Sequence, residues 1–209
     1  MDYFIRDRKL AEEIDHLFRL SPAVKNAIAA TDRSLFVANG LKKFAYKIDA
    51  LPIGEKQFIS SPLTVAKMTE FLMPSGADSV LEIGCGSGYQ AAVLSKLIRR
   101  VFSIERISLL LEEARASIKE AKITNINTRL DDGQKGWREF APYDRILFSA
   151  SPSHIPQILF DQLSDGGILL APIKRNQKQF IIRYVKRGVD IREEILEECS
   201  FVPVLEGTE

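Results

Sequence analysis

Apolar positions along this 209-residue chain change their period several times, and each change marks an element. Residues 7–20 place Leu10, Ile14, Leu17 and Phe18 at helical spacing with Glu12, Glu13 and Asp15 opposite, which predicts an amphipathic helix. Ser21 and Pro22 then supply an N-cap and a first-turn proline for a short helix through Ala30. From 45 to 61 the helical period is lost and Pro52 and Gly54 act as breakers, so loop and short extended pieces are expected. An irregular segment of that length is usually disordered or functional. The apolar content here (Ala50, Leu51, Ile53, Phe58, Ile59) argues against disorder and for a lid or substrate wall. Ser61-Pro62 repeats the cap-plus-proline signal and starts a helix expected to pack Val65, Ala66, Met68, Thr69, Leu72 and Met73 inward.

The next stretch is a strand that runs into glycines and then into a helix. Val80, Leu81 and Ile83 read as a strand buried on both sheet faces, Gly84, Gly86 and Gly88 as a tight turn, and Ala91, Leu94, Leu97 and Ile98 as the inner face of a helix over 90–98. Strands over 100–105, 126–130, 144–150 and 167–173 alternate with helices over 108–121 and 155–163. This pattern predicts an α/β fold, a doubly wound, mostly parallel Rossmann-like sheet with helices on both faces. Residues 178–186 and 190–203 read as consecutive strands with no helix between them, hence an antiparallel C-terminal edge. The length suits a single domain over 1–209, divided into an N-terminal helical and loop region (1–75) and a core with C-terminal strands (76–209).

Charge narrows the partners. Lys plus Arg (29) nearly cancels Asp plus Glu (28), so net charge gives no argument for nucleic acid or an anionic membrane surface. No stretch approaches the roughly 18 apolar residues of a membrane span and the N-terminus lacks a signal-type apolar core, so a cytoplasmic protein is expected. Cys85 and Cys199 read as free thiols, and with two histidines in the chain no metal site is expected.

The glycine spacing separates two nucleotide chemistries. A dinucleotide fingerprint, G-x-G-x-x-G, needs a glycine at 89, where this chain has Tyr89; the pattern here is G-x-G-x-G. An acid two residues upstream (Glu82) and another ending the next strand (Glu105) accompany it. Glu105 follows the last glycine at near the spacing of about 20 residues at which a strand-end carboxylate can accept ribose hydroxyls. The triplet alone fits an ordinary strand-to-helix turn equally well.

These features resemble the first motifs of S-adenosylmethionine-dependent methyltransferases. With Ala50-Leu51-Pro52-Ile53-Gly54, Gln57, Ile59-Ser60 and Pro62, Asp132-Gly133 with Gly136-Trp137, and Ala141 through Ile146, the chain resembles the protein-L-isoaspartate O-methyltransferase family over most of its length. It departs from that family's pattern at Phe58, usually a small hydroxyl residue, and at Ser61, Asp131 and Cys85.

The resemblance implies methyl transfer from S-adenosyl-L-methionine, leaving S-adenosyl-L-homocysteine, to the α-carboxylate of L-isoaspartyl residues in damaged proteins or peptides, a step that initiates repair. It implies that Ser60 is the catalytic residue and also touches cofactor and substrate. Gly84, Gly86 and Gly88 would cradle the methionine part beside Glu82, Glu105 would hold the ribose, Asp132 and Gly133 would meet the adenine, and Gln179 would be a further cofactor contact. Leu51, Pro52, Ile53 and Gly54 would form the substrate wall. For Glu82 a solvated strand-end acid, for Asp132 an Asp-Gly turn, and for Gln179 an edge-strand surface residue stand as alternatives. At the level of function, a small-molecule methyltransferase or a non-catalytic nucleotide-binding module also fits the cofactor motifs.

Overall fold

The computed structural model of the chain describes residues 2–209. Helices α1 (Asp2–Leu17) and α2 (Pro22–Ala29) come first. A short antiparallel hairpin, β1 (Leu51–Gly54) and β2 (Gln57–Ile59), follows, and then α3 (Pro62–Phe71). The core contains β3 (Ser79–Ile83), α4 (Tyr89–Leu94), β4 (Arg100–Glu105), α5 (Ser108–Glu120), β5 (Ile126–Leu130), β6 (Tyr143–Phe148), α6 (Gln157–Asp161), β7 (Leu163–Arg175), β8 (Lys178–Arg187) and β9 (Asp190–Cys199).

Seven of these strands form one sheet in the order β5-β4-β3-β6-β7-β8-β9. The first five are parallel, and β8 and β9 add an antiparallel meander. Alternation along β3 divides the core. Val80 faces Met68, Leu72, Ala91 and Leu94 of α3 and α4, whereas Leu81 and Ile83 face Phe102, Trp137, Tyr143 and Leu159 on the other side. Helices therefore cover both faces, as the alternating pattern predicts. From β3 the chain winds outward through β4 to β5, then returns to place β6 on the other side of β3. The order reverses at β3/β6, and ligands in open parallel sheets sit at the carboxyl ends of the strands at such a switch point.

Several boundaries differ from the sequence expectation for identifiable reasons. The first helix stops at Leu17 because the Asp15 carboxylate accepts the Leu20 N–H and closes the turn. Ser21 caps α2 by accepting the Val24 N–H and also donates to Glu70, tying α2 to α3; Ser61 makes no side-chain cap, and Pro62 alone starts α3. Met73 lies beyond α3 with φ +52° and is 50 % exposed, not packed inward. The segment over 45–61 holds a true hairpin. Its two turn residues, Glu55 (φ 46°) and Lys56 (φ 57°), adopt the left-handed pair of a two-residue turn without any glycine there. Only residues 157–161 of the expected 155–163 helix are helical, and the last strand ends at Cys199 instead of 203. The remaining tail bonds to Ser151 and then runs across the strand ends to Arg106 and Ser108.

Candidate functional site

The glycine turn is fastened from beneath by β4. Gly84 and Cys85 donate their N–H groups to the Ile104 carbonyl at 2.9 and 3.1 Å, and Gly86 donates to Glu105 Oε2 at 2.8 Å. Gly84, Gly86 and Gly88 have φ of 94°, 53° and 85°, which favours glycine at all three. At Gly88 space is short as well, since a Cβ would lie 3.3 Å from Ile118 Cδ1. Glu105 also accepts the Arg106 and Ile107 N–H groups through Oε1, and it is only 5 % exposed. It is thus a buried brace of the turn as well as a wall of the cavity beside it, not a freely solvated acid.

Glu82 is fully buried (0 % exposed), which excludes a solvated strand-end acid. Its register partner Ser103 and the residue after β6, Ser149, donate hydroxyl hydrogen bonds to its two oxygens. Burial raises its pKa to about 8, with those hydroxyls opposing the shift and Glu105 adding to it. An unfolded glutamate titrates near 4.5. Between that value and about 8 the folded protein holds a proton that the unfolded chain releases, so this group costs stability as pH rises, by up to ~1.4 kcal/mol per pH unit. Glu82→Gln is therefore expected to stabilise the ligand-free protein increasingly from pH 5 to 8.5. Thermal melts of both proteins across that range check it, and a pH-independent difference in melting temperature would count against a neutral, buried Glu82.

Two cavities meet at Phe58, Gly84 and Ser149. One carries the polar side chains Ser60, Glu82, Ser87, Gln90 and Ser149 beside apolar residues such as Val65 and Met68, with the Tyr89 ring at its wall. The second is largely apolar, with Ile83, Ile104, Ile107, Leu110 and tail residues Val202 to Leu205 around Glu105, Gly86 and Gly133. Ser60 ends the hairpin, and its hydroxyl makes no hydrogen bond to any described residue. Burial, with Glu82 beside it, pushes the Cys85 thiol well up, so it is no nucleophile.

Of the sequence-predicted residues, Ser60, Glu82 and Gly84 share the first cavity, and Gly84, Gly86, Glu105 and Gly133 share the second. Gly88 caps α4 behind them. The others are placed differently. Asp132 is buried and bonded through Oδ1 to the Gln134 N–H and through Oδ2 to the Gly207 N–H, and its carboxylate lines neither cavity. Gly133 is required by its neighbour as much as by any ligand, since a Cβ there would lie 2.5 Å from Ile83 Cγ2. Gln179 bonds the backbone of Phe201, donating to its carbonyl at 3.1 Å and accepting its N–H at 2.7 Å, so it seats the tail and lines neither of these two cavities. In the hairpin, β2 rather than β1 forms the cavity wall. Leu51 is buried in the N-terminal core, Pro52 and Gly54 are exposed and line neither cavity, and Ile53 faces a separate cleft with Ser87. Phe58 and Ile59 belong to the 45–61 segment that the sequence marks as a lid or wall, whereas Gln57 and Ser149 are not among the expected wall residues. Period-2 alternation within the hairpin and the switch-point rule for the end of β6 are the signals that point to them.

A parallel sheet switching at β3/β6, with a glycine turn braced by an acid on the neighbouring strand and a two-part cavity above it, defines a Rossmann-like methyltransferase. The family model for protein-L-isoaspartate(D-aspartate) O-methyltransferase matches residues 6–209, and the chain belongs to that family. It is similar to the protein-L-isoaspartate O-methyltransferase of Helicobacter pylori (strain G27), 52 % identical over 206 residues that cover 98 % of this chain and 99 % of that one. It is 47 % identical over 184 residues to the protein of the same name from Maricaulis maris (strain MCS10), covering 88 % of this chain and 86 % of the other. In fold it matches the crystal structure of the Plasmodium falciparum beta-aspartate methyltransferase in complex with S-adenosyl-L-homocysteine, with a TM-score of 0.84 at 22 % identity, over 96 % of this chain and 99 % of that one.

Proposed function

We propose that this protein methylates the α-carboxylate of L-isoaspartyl residues in damaged proteins and peptides, the step that initiates their repair, and that it works as one folding unit in the cytoplasm. The observation that carries the reading is the unpartnered Ser60 hydroxyl on a cavity that also holds Glu82 and Gly84. The two cavities fit the two ends of S-adenosylmethionine. Glu82 with Ser149 and Ser87 would hold the charged amino-acid end, while Glu105 would meet the ribose and Ile83, Ile104 and Gly133 would surround the base. When bound, S-adenosylmethionine supplies an electrophilic methyl group on a sulfonium.

Ser60 would donate to the incoming carboxylate and orient it. That carboxylate, with a pKa of about 3.5, is already ionised at neutral pH and needs no base. This suits a cavity whose serine has no histidine beside it: His154 bonds Ser153 and His16 bonds a carbonyl of its own helix. The β2 wall and the C-terminal tail would exclude water, and rate would then come from alignment. Incubation of an isoaspartyl peptide with methyl-labelled S-adenosylmethionine is expected to give a carboxyl methyl ester, released by mild base. Label that survives base, or none at all, would refute the reading.

A further inference from the structure

Arg33 is a fully buried arginine whose guanidinium hydrogen bonds all go to backbone carbonyls, while its backbone N–H donates to the Asp7 carboxylate. It opens a 3₁₀ turn, Arg33–Phe36, capped by Asp32, and its side chain is 0 % exposed. Nη1 donates to the Ala45 carbonyl at 2.6 Å. Nη2 bridges two carbonyls, Asp49 at 3.1 Å and Ser60 at 3.0 Å. Asp49 precedes β1 and Ser60 follows β2, so one nitrogen joins the two feet of the hairpin. The guanidinium lies 5.6 Å from the centre of the Tyr89 ring, at the residue that follows the glycine turn. Burying a cation without a paired acid is costly, and an apolar residue of similar volume often serves stability as well or better. Its presence here points to the geometry it imposes.

We propose that Arg33 is the positioning residue of the acceptor site. It acts through Ser60, and fixes the hairpin foot against the glycine turn so that the serine hydroxyl meets the substrate carboxylate. This deepens the function proposed above and rests on it. Ser60 is held on one side by the Arg33 bond to its own carbonyl, and Pro62 two residues on restricts Ser61. A lysine cannot reproduce the clasp, because a single ammonium lacks the planar fork that reaches three carbonyls.

The test is Arg33→Lys, with turnover on an isoaspartyl peptide measured per cofactor-binding site, and the affinity for S-adenosylhomocysteine measured by calorimetry. Turnover per site is expected to fall about tenfold or more, since misplacement by about 1 Å costs up to ~100-fold, while cofactor affinity stays within about twofold. In a Ser60→Ala background the same substitution is expected to cost little, because its effect passes through the serine. A lower melting temperature with unchanged turnover per site would overturn the inference and leave a structural role. So would parallel losses of turnover and cofactor affinity, or full additivity with Ser60→Ala. If the lysine variant does not fold, Arg33→Gln carries the same measurements. A parent protein that methylates no isoaspartyl peptide would overturn the proposed function and this inference with it. An active parent beside an unaffected variant would overturn the inference alone.

Discussion

Glu105→Ala is expected to lower S-adenosylmethionine affinity by more than about 100-fold and to destabilise the protein. The carboxylate does two jobs at once. Facing the cavity, it would give up charge-assisted hydrogen bonds to a ribose, each worth about 1.5–3 kcal/mol. Facing the protein, it leaves the Gly86, Arg106 and Ile107 N–H groups without their acceptor, and the buried Ile107 donor alone costs about 1–3 kcal/mol. The sequence alone predicts loss of binding in an intact fold, because a strand-end acid reads as solvent-accessible. The bond from Gly86 changes that expectation, since the turn that would hold the methionine part is itself tied down by the acid. Calorimetric titration beside a thermal melt checks both effects. Unchanged affinity in the folded variant would remove Glu105 from the site, and an unchanged melting temperature would remove its bracing role.

Ser60→Ala is expected to cut turnover at saturating substrate and cofactor by about 100-fold, the scale of losing one aimed donor, with little change in melting temperature. The near-neutral stability follows from the structure, because the hydroxyl bonds to no described residue and its removal orphans no partner among them. The Ser60 carbonyl, which Arg33 holds, survives the substitution. Steady-state kinetics in both substrates separates the outcomes. If the loss is confined to cofactor affinity and turnover at saturation is intact, the serine is a cofactor ligand and not an acceptor donor.

The parallel core was legible because its signals are local. Val80, Leu81 and Ile83 form an apolar run broken only by Glu82 and ending in glycines with positive φ, and β4 and β5 begin and end where the sequence places them. The hairpin was legible only as an irregular apolar stretch, since Glu55 and Lys56 make a left-handed turn without the Asn-Gly or Asp-Gly pair that announces one. Which strand of the hairpin faces the site depends on its packing. Leu51 and Ile59 turn inward, and Phe58, 54 % exposed, reaches both cavities from the outer side. Asp132 and Gln179 look like ligand-binding groups in one dimension. Their side chains bond to Gly207 and Phe201, residues far along the chain that no local pattern brings near. The same holds for Arg33, whose three acceptors are read only from the folded backbone.

The acceptor is the part of the proposed function furthest from the cofactor motifs, and a pair of peptides tests it most directly. The two would be identical except for one aspartyl residue, linked through its side-chain carboxyl in one and through its α-carboxyl in the other. Each would be incubated with the protein and methyl-labelled S-adenosylmethionine. The isoaspartyl peptide alone is expected to gain base-labile label, with discrimination of about 100-fold or more, because the extra backbone methylene displaces the reacting carboxylate by more than the ~1 Å that alignment tolerates. Equal labelling of both peptides, or labelling of neither by a protein that still binds the cofactor, would contradict it.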